Sequence, residues 1–349
     1  MKTTLKSQLK PLSFAVQRAV VSKLLQLPEP IARRLAGKPK VIDGQTLNLP
    51  LQLLLKLFSA PADTLASVAE TRAEFDEQGS WLAQPRHPDI VVEDFKIAVT
   101  DGEIRLRRYR HRNSVGKQPA LVFYHGGGYA AGSLKSHDTP CQHLAADGHC
   151  TVIAVDYRLA PEYPFPTPVN DGIEAFRHIT AHPDKYGIDP ARIAVGGDSA
   201  GGNLAAVVAQ QTKHDAHPPQ LQLLWVPWVD MSTERPSYER FASGLFLERA
   251  KMRWYANLYL PKDADREDPK ISPIYGDTTG VAPAVVLVAG FDPLRDEGIA
   301  YAHKLTESGI DTTFKVYDSL PHPFINIAGQ IEDAKIAFAD ATKALREKL

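Results

Sequence analysis

The chain has 349 residues, of which 44% are hydrophobic, so it is long and apolar enough to form one large domain with a substantial core. Its formal net charge is only −1, which argues against nucleic acid or an anionic membrane surface as a partner. The two cysteines, Cys141 and Cys150, are too few for a disulfide framework and lack the spacing of a metal site.

Residues 1–84 have apolar positions at helical spacing, interrupted by prolines, and are predicted to be mainly helical. The basic start at residues 1–6 is similar to that of a signal peptide, but polar residues break the following stretch and no cleavage site follows. Nowhere do eighteen apolar residues follow one another, so no integral membrane association is predicted. We therefore expect a cytoplasmic protein.

From Pro85 onward the sequence consists of short apolar runs. Two strands are predicted over residues 90–99 and 104–109, around a turn at Asp101-Gly102. Strands and helices then alternate, which predicts a mostly parallel sheet with helices on both faces and a ligand site at the carboxyl ends of its strands. The predicted strands span residues 119–124, 151–156, 192–196, 221–226, 284–289 and 312–317. The predicted helices lie near residues 168–182, 200–213, 295–308 and 330–347.

Residues 231–262 interrupt this alternation with two predicted helices. Because long insertions at the functional edge of a domain often form lids, residues 1–84 and 231–262 are predicted to form a cap on the main domain, residues 85–349. Four aromatic residues in or near the insertion are candidates for a ligand pocket, although aromatic residues beside a cap are as often plain packing. These are Trp225, Trp228, Phe246 and Trp254.

The strand predicted over residues 119–124 ends in His-Gly-Gly-Gly at residues 125–128. With 12 histidines and 23 glycines in the chain, such a run is expected by chance on the order of a few times per thousand sequences. Consecutive glycines let several backbone N–H groups point at one spot, which suits a phosphate or an oxyanion. A phosphate loop would need a Lys-Ser/Thr pair or a G-x-G-x-x-G pattern, and neither accompanies this run. An oxyanion hole is therefore favoured.

A second glycine-rich motif, Gly-Asp-Ser-Ala-Gly-Gly at residues 197–202, joins an apolar strand directly to an apolar helix. A serine between small residues at a strand-to-helix turn is typical of a nucleophile elbow. The turn is so tight that only hydrogen atoms or methyl groups fit beside it, and the serine adopts a strained backbone conformation. Ser199 would then stand at the sheet edge beside a helix N-terminus, where negative charge is stabilised.

A serine hydroxyl needs a base to take its proton and an acid to orient that base. Asp292, which follows the strand predicted over residues 284–289, is the best candidate acid, and Asp230 is the alternative. His322 lies just after the last predicted strand, from which it can reach the same sheet edge as Ser199. No H-E-x-x-H motif occurs, so no metal site is predicted.

Four motifs occur in order along the chain: His-Gly-Gly-Gly-Tyr at 125–129, Asp-Tyr-Arg-Leu-Ala-Pro-Glu at 156–162, Gly-Asp-Ser-Ala-Gly-Gly-Asn at 197–203 and Asp-Pro-Leu-Arg-Asp-Glu at 292–297. Together they resemble the motifs of the bacterial hormone-sensitive-lipase-like carboxylesterases. The resemblance covers residues 90–349 and implies an α/β-hydrolase fold, with a mostly parallel central sheet flanked by helices and a helical cap. It also implies that the backbone N–H groups of Gly127, Gly128 and Ala200 bind the oxyanion. One departure is Pro323, where the family usually has glycine, because proline fixes φ at about −65° and removes an N–H.

The predicted function is that of a serine carboxylesterase, which hydrolyses short- to medium-chain acyl esters through an acyl-enzyme intermediate. Its triad would be Ser199, His322 and Asp292, its partner a small-molecule ester, and no cofactor is needed. A lipase, an amidase or a deacetylase would use the same triad. In a different class, this fold serves as a non-catalytic small-molecule receptor, which the intact triad argues against. The sequence leaves open the natural substrate and whether the chain forms a homo-oligomer.

Overall fold

The computed structural model describes residues 14–58, 66–81 and 84–349. Predictions made for the remaining residues of the segment 1–84 lie outside these ranges. The predicted hairpin and all six later strands are present, together with a small additional hairpin in the N-terminal segment. The strands in this part of the chain are β1 (Val41–Ile42), β2 (Gln45–Thr46), β3 (Ile90–Val99), β4 (Gly102–His111), β5 (Gln118–Tyr124), β6 (Thr151–Asp156), β7 (Ile188–Asp198), β8 (Leu221–Trp225), β9 (Ala284–Phe291) and β10 (Thr312–Pro321).

Eight of these strands form one large sheet in the order β10-β9-β8-β7-β5-β6-β4-β3. The pairs β3–β4 and β4–β6 are antiparallel, and every other pair in this sheet is parallel. The predicted mostly parallel sheet is therefore confirmed. Its central strands are apolar along most of their length because helices cover both faces.

The four helices predicted among the later strands begin and end within two residues of their predicted bounds. The helix Asp138–Asp147 is absent from the predicted elements because its first turn is polar, contains Pro140 and is followed by few apolar positions. No helix of the described ranges is both long and apolar enough to cross a membrane. In chain order the helices of these ranges are α1 (Phe14–Leu25), α2 (Glu29–Ala36), α3 (Leu49–Phe58), α4 (Val68–Trp81), α5 (Asp138–Asp147), α6 (Thr167–Ala181), α7 (Pro183–Tyr186), α8 (Ala200–Gln211), α9 (Pro236–Arg240), α10 (Arg249–Tyr259), α11 (Arg295–Glu307) and α12 (Glu332–Lys348), with 3-10 turns at Pro273–Tyr275 and Ile325–Ile327.

Alternate residues of β5 pack on opposite faces of the sheet. Val122 and Tyr124 belong to a first core that is covered by α6, α8 and α11 and that includes side chains of α10. Leu121 and Phe123 belong to a second core, covered by α5, α12 and the N-terminal helices α1 and α3. Both cysteines are buried in this second core as free thiols. The N-terminal segment is thus partly built into the core of the main domain.

The N-terminal segment and the insertion 231–262 also contact each other. Leu47, Phe241 and Phe291 share a small apolar cluster, which joins the N-terminal segment and the insertion to the last residue of β9. The Lys40 Nζ donates to the carbonyl of Gly244 over 2.8 Å. The two segments predicted to form a joint cap therefore meet beside the carboxyl end of β9, and their role as a cap remains a prediction.

Candidate active site

Ser199 occupies the turn between β7, which ends at Asp198, and α8, which begins at Ala200. Its backbone has φ 56° and ψ −119°, and a non-glycine residue held in such a rarely populated conformation costs on the order of 1–3 kcal/mol. The Ser199 N–H donates to the carbonyl of Trp225 over 2.9 Å, and the Trp228 N–H donates to the Ser199 carbonyl over 3.1 Å. The strained turn is therefore fastened to the end of β8 and the residues after it.

Two glycines beside the serine lie against the backbone of the neighbouring strand. A Cβ atom on Gly197 or Gly201 would lie under 3.0 Å from the carbonyl oxygen of Tyr124, the last residue of β5. No side chain fits at either position, which confirms the steric reason for small residues around the serine. The serine turn and the end of β5 are in direct backbone contact.

The loop that follows β5 has an unusual backbone in three consecutive residues. The angle φ is 127° at Gly127, 60° at Gly128 and 61° at Tyr129, all in the region that residues with a side chain rarely adopt. The N–H groups of Ala130 and Ala131 donate to the Gly127 carbonyl over 3.1 and 2.9 Å. The loop is therefore a tight turn closed on Gly127. The two glycines adopt these angles without strain, whereas Tyr129, which has a side chain, needs contacts from outside the loop to hold its backbone in place.

Helix α10 of the insertion covers this glycine loop. A Cβ atom on Gly128 would lie under 3.0 Å from three ring atoms of Tyr255, so this ring packs directly on the glycine. One turn later, Tyr259 stacks on Tyr129 with their ring centroids 3.9 Å apart. The sequence pointed to Trp254 rather than to Tyr255, because nothing in the local pattern shows which face of α10 meets the loop.

Asp292 and His322 lie just after β9 and β10, at the same edge of the sheet as the serine turn. The His322 Nδ1 is 2.8 Å from the Asp292 Oδ2, and the two side chains are only 5% and 0% exposed. The other carboxylate oxygen, Oδ1, accepts the Leu294 N–H over 2.9 Å. The structure thus brings the predicted base and the predicted acid together, with Pro323 in the next position of the chain.

The alternative acid, Asp230, has other partners. Its Oδ1 accepts the Ser232 hydroxyl over 2.8 Å, and its Oδ2 lies 3.0 Å from the Arg235 guanidinium. Both oxygens are used within the loop that follows β8, as expected of a turn-closing carboxylate. The geometry therefore favours Asp292 over Asp230 as the acid.

The four aromatic residues predicted to line a pocket lie in different environments. Trp225 is buried in the second core, edge-on to Phe123. Trp228 is buried in the first core, in the loop that follows β8, where its N–H donates to the Ser199 carbonyl. Trp254 is partly buried against the first core, whereas Phe246 is 46% exposed. Trp225 and Trp228 thus belong to cores on opposite faces of the sheet, and a shared pocket wall for all four remains a prediction.

A buried carboxylate next to the serine ties the two glycine motifs together. The Asp198 Oδ1 accepts the Gly126 N–H over 2.9 Å and lies 3.1 Å from the His137 Nε2. Burial raises the pKa of Asp198, but His137 and the Gly126 N–H outweigh this effect and hold the pKa below its usual value. The sequence does not predict this contact. Asp198 lies inside the serine motif, but nothing in the sequence links it to His137.

His125, the first residue of the glycine loop, is buried and stacks on Tyr157 with ring centroids 4.4 Å apart. Its Nδ1 donates to the Gly126 carbonyl over 2.9 Å. Burial, with a smaller contribution from His137, lowers the pKa of His125 to about 4. His125 is therefore neutral at pH 7. In the described ranges no group of three or more His, Cys, Asp or Glu side chains is arranged to hold a metal ion.

The neutral state of His125 makes stability depend on pH in a defined direction. In the unfolded chain a histidine titrates with a pKa of about 6.5, whereas in the folded chain it does so at about 4. The unfolded state therefore binds a proton first, and the stability that His125 confers above pH 6.5 is lost as the pH falls towards 4. We expect His125→Asn to reduce the slope of unfolding free energy against pH in this window by up to about 1.4 kcal/mol per pH unit.

The measurement is urea-induced unfolding at several pH values between 4.5 and 7.5. His303→Asn is the matched control, because His303 is exposed on α11, and this variant should keep the wild-type slope. An unchanged slope in the His125 variant would show that folding does not lower the pKa of this imidazole.

Comparisons with known proteins show the family to which the chain belongs. Residues 121–326 match the Abhydrolase_3 family, which is described as having an alpha/beta hydrolase fold. The chain is 40% identical over 325 residues to carboxylic ester hydrolase LipN of Mycobacterium tuberculosis, covering 88% of this chain and 85% of that protein. It is 37% identical over 286 residues to ethyl acetate hydrolase of Pseudomonas putida, covering 80% of this chain and 90% of that protein.

Solved structures support the same family assignment. An ester hydrolase from the metagenome of Lake Arreo, in complex with a derivative of bipyridine phosphonate, superposes with a TM-score of 0.81. It is 40% identical and covers 86% of this chain and 98% of its own. An esterase from Pyrobaculum calidifontis gives a TM-score of 0.81 at 35% identity, with the same coverage. The chain belongs to the hormone-sensitive-lipase-like carboxylic ester hydrolases of the α/β-hydrolase superfamily.

Proposed function

We propose that the chain hydrolyses esters through a triad of Ser199, His322 and Asp292 and a covalent acyl-enzyme. The observation that carries this proposal is the buried contact of 2.8 Å between the His322 Nδ1 and the Asp292 Oδ2. It lies at the same sheet edge as the strained turn at Ser199. A nucleophile, a base and an orienting acid are the three groups that acyl transfer by serine requires.

In the acylation step, the Ser199 Oγ bonds to the ester carbonyl carbon while His322 takes its proton through Nε2. The carbonyl oxygen becomes an oxyanion in the tetrahedral intermediate. When the bond to the alcohol oxygen breaks, His322 returns the proton to that oxygen and the alcohol leaves. Water then repeats the sequence on the acyl-enzyme, which releases the carboxylic acid and restores the serine.

Asp292 would keep the Nδ1 proton of His322 in place, so that Nε2 faces the serine. Its carboxylate would also stabilise the imidazolium that forms during each step. Full burial supports this role, because a charge pair interacts more strongly where water is excluded. The Leu294 N–H on Oδ1 fixes the carboxylate, which leaves Oδ2 directed at the imidazole.

The oxyanion would be bound by the backbone N–H groups of Gly127, Gly128 and Ala200. The positive φ angles of the two glycines support this assignment, because they turn successive N–H groups away from the regular pattern of a strand. Ala200 is the first residue of α8, where N–H groups have no partner within the helix and the helix dipole favours negative charge. Each such donor is typically responsible for 10²–10³-fold in kcat.

The substrate class is proposed to be small-molecule esters with short to medium acyl chains. The relative named ethyl acetate hydrolase supports a small ester. The ester hydrolase solved in complex with a derivative of bipyridine phosphonate also supports a small-molecule ligand. The packing of Tyr255 on Gly128 supports a limit on acyl length set by the insertion, because α10 lies directly over the proposed oxyanion loop.

The first prediction from this proposed function concerns the nucleophile. Ser199→Ala should reduce kcat on p-nitrophenyl acetate by about 10⁴-fold or more, because only the oxyanion donors and binding remain. The midpoint of thermal unfolding should stay close to that of wild type, because one hydroxyl contributes little to packing. Ser243→Ala, an exposed serine in the insertion, is the control and should be fully active. A Ser199 variant that retained a tenth of the wild-type kcat would require another nucleophile.

The second prediction separates the two candidate acids. Asp292→Asn should lower kcat by about 10⁴-fold by favouring the wrong imidazole tautomer. Asp230→Asn is a matched control, because both carboxylates are buried after adjacent strands, and it should change kcat by less than about tenfold. Steady-state kinetics on one ester would compare them, and the reverse ranking would transfer the acid role to Asp230.

The third prediction concerns acyl length. Each methylene buried in the pocket should raise kcat/KM about fourfold, from about 0.8 kcal/mol, until the pocket ends. In a series of p-nitrophenyl esters from acetate to decanoate, activity should therefore rise and then fall. Trp254→Ala and Phe246→Ala should move the peak to longer chains with little change in kcat on acetate. Val115→Ala, at a surface position that is 88% exposed, is the control, and a peak unmoved in both test variants would exclude these residues from the pocket wall.

A further inference from the structure

Helix α4 of the N-terminal segment runs along the chain that follows the glycine loop. A Cβ atom on Gly79 would lie under 3.0 Å from the carbonyl oxygen of Ser136, so the two backbones nearly touch. Asp76, one turn earlier, accepts the Ser133 hydroxyl over 2.5 Å. The N-terminal segment therefore lies against the residues that continue the proposed oxyanion loop.

The side chain of Arg72 reaches from α4 into that loop. Its Nε donates to the carbonyl of Ala130, and its Nη2 donates to the carbonyl of Ala160, both over 2.9 Å. Nη1 and Nη2 also bind the two carboxylate oxygens of Glu162 over 2.9 and 2.6 Å. A guanidinium is planar and rigid, so this one side chain fixes the positions of its three partners, the two carbonyls and the carboxylate, relative to each other.

Two of these three partners belong to residues, Ala130 and Ala160, whose N–H groups bind the glycine loop. The Ala130 N–H donates to the Gly127 carbonyl over 3.1 Å, and the Ala160 N–H donates to the Tyr129 carbonyl over 2.8 Å. The carbonyls of Ala130 and Ala160 are the ones that Arg72 binds. Arg72 thus joins both segments that support the residues with positive φ, among which is Gly128.

We propose that Arg72 is a positioning residue for the oxyanion loop. The N-terminal segment would then complete the active site as well as cover it. This inference rests on the proposed function, because it requires that Gly127 and Gly128 bind the oxyanion. Glu162 orients the guanidinium, and the paired hydrogen bonds from Arg72 in turn lower the pKa of Glu162.

If Arg72 only attached the N-terminal segment to the main domain, its removal would have other effects than the removal of a positioning residue. Loss of a mere attachment would weaken substrate binding or folding. Loss of positioning would weaken only the binding of the tetrahedral oxyanion, because the ground-state ester makes little use of the oxyanion hole. The two roles therefore differ in kcat and in the affinity for a tetrahedral mimic.

The test compares Arg72→Gln and Arg72→Lys with wild type on p-nitrophenyl acetate. Arg72→Gln should lower kcat by about 10- to 100-fold, with KM changed less than about twofold. It should weaken inhibition by a trifluoromethyl ketone, which forms a tetrahedral adduct, by the same factor as kcat. Arg72→Lys should recover only part of the activity, because an ammonium cannot bind all three partners in the same plane.

Arg177→Gln is the matched control, because Arg177 also binds a carboxylate through two nitrogens, that of Asp215, and the carbonyl of Gln211, at a surface of α6 and α8. It should leave kcat unchanged. Glu162→Gln covers the case in which Arg72→Gln does not fold, because it leaves the bonds of Arg72 to both carbonyls. It should lower kcat severalfold and in parallel with ketone affinity.

The inference is overturned if the Arg72 and Glu162 variants raise KM alone, or lower only the unfolding temperature, while kcat and ketone affinity stay at wild-type values. Its failure is distinct from failure of the proposed triad, because Ser199→Ala is assayed alongside. If wild-type activity survives Ser199→Ala, the triad is wrong whatever Arg72 does. If that activity is lost and the Arg72 variants remain fully active, only the inference about Arg72 fails.

Discussion

The site depends on a close contact between the backbones of two turns, which leaves no room for a side chain between them. β5 and β7 are neighbours in the sheet, and each ends in a glycine-rich turn at the same edge. The carbonyl of Tyr124 lies so close to Gly197 and Gly201 that a single methyl group on either would separate the two turns. Asp198 adds a charged link by accepting the Gly126 N–H. This contact holds the serine turn and the glycine loop at one fixed spacing, which the stabilisation of an oxyanion requires.

The remaining groups of the site follow strands that lie on the other side of β7 from β5, and they lie at the same edge of the sheet. β8 separates β7 from β9, and its continuation supplies the hydrogen bonds that hold the strained backbone of Ser199. Asp292 directly follows β9 and His322 directly follows β10, so no long segment separates either residue from the strand that positions it. Strain at the serine and burial of the Asp292 carboxylate both cost free energy. The cores on the two faces of the sheet offset these costs.

Much of this architecture is predictable from sequence because its signals are local. The strands of the large sheet are short apolar runs, and the two glycine motifs follow them directly, so their shared edge follows from the rule for parallel sheets. The ordered motifs also identify the family. Helix α5 escapes prediction because Pro140 and a polar first turn hide its periodicity. The start of β7 is also missed, because Ile188 is separated from the apolar run by polar residues and a proline.

The contacts that sequence reasoning misses join residues far apart in the chain. Asp198 meets His137, Tyr255 packs on Gly128, and Arg72 binds the carbonyl of Ala130. No local pattern marks these pairs, because which residues meet depends on how helices pack over the sheet edge. For the same reason the sequence does not show that Trp225 and Trp228 lie in the cores of opposite faces of the sheet, and the role of the aromatic residues in a pocket stays a prediction.

The most direct test of the central claim is the crystal structure of the enzyme inactivated by a p-nitrophenyl alkylphosphonate, which expels nitrophenol and leaves a tetrahedral phosphorus on the nucleophile. We expect a covalent bond from the Ser199 Oγ to phosphorus. We also expect the phosphoryl oxygen to accept hydrogen bonds from the N–H groups of Gly127, Gly128 and Ala200. Phosphorus bound to any other residue, or a phosphoryl oxygen that faces away from both glycine motifs, would contradict this claim.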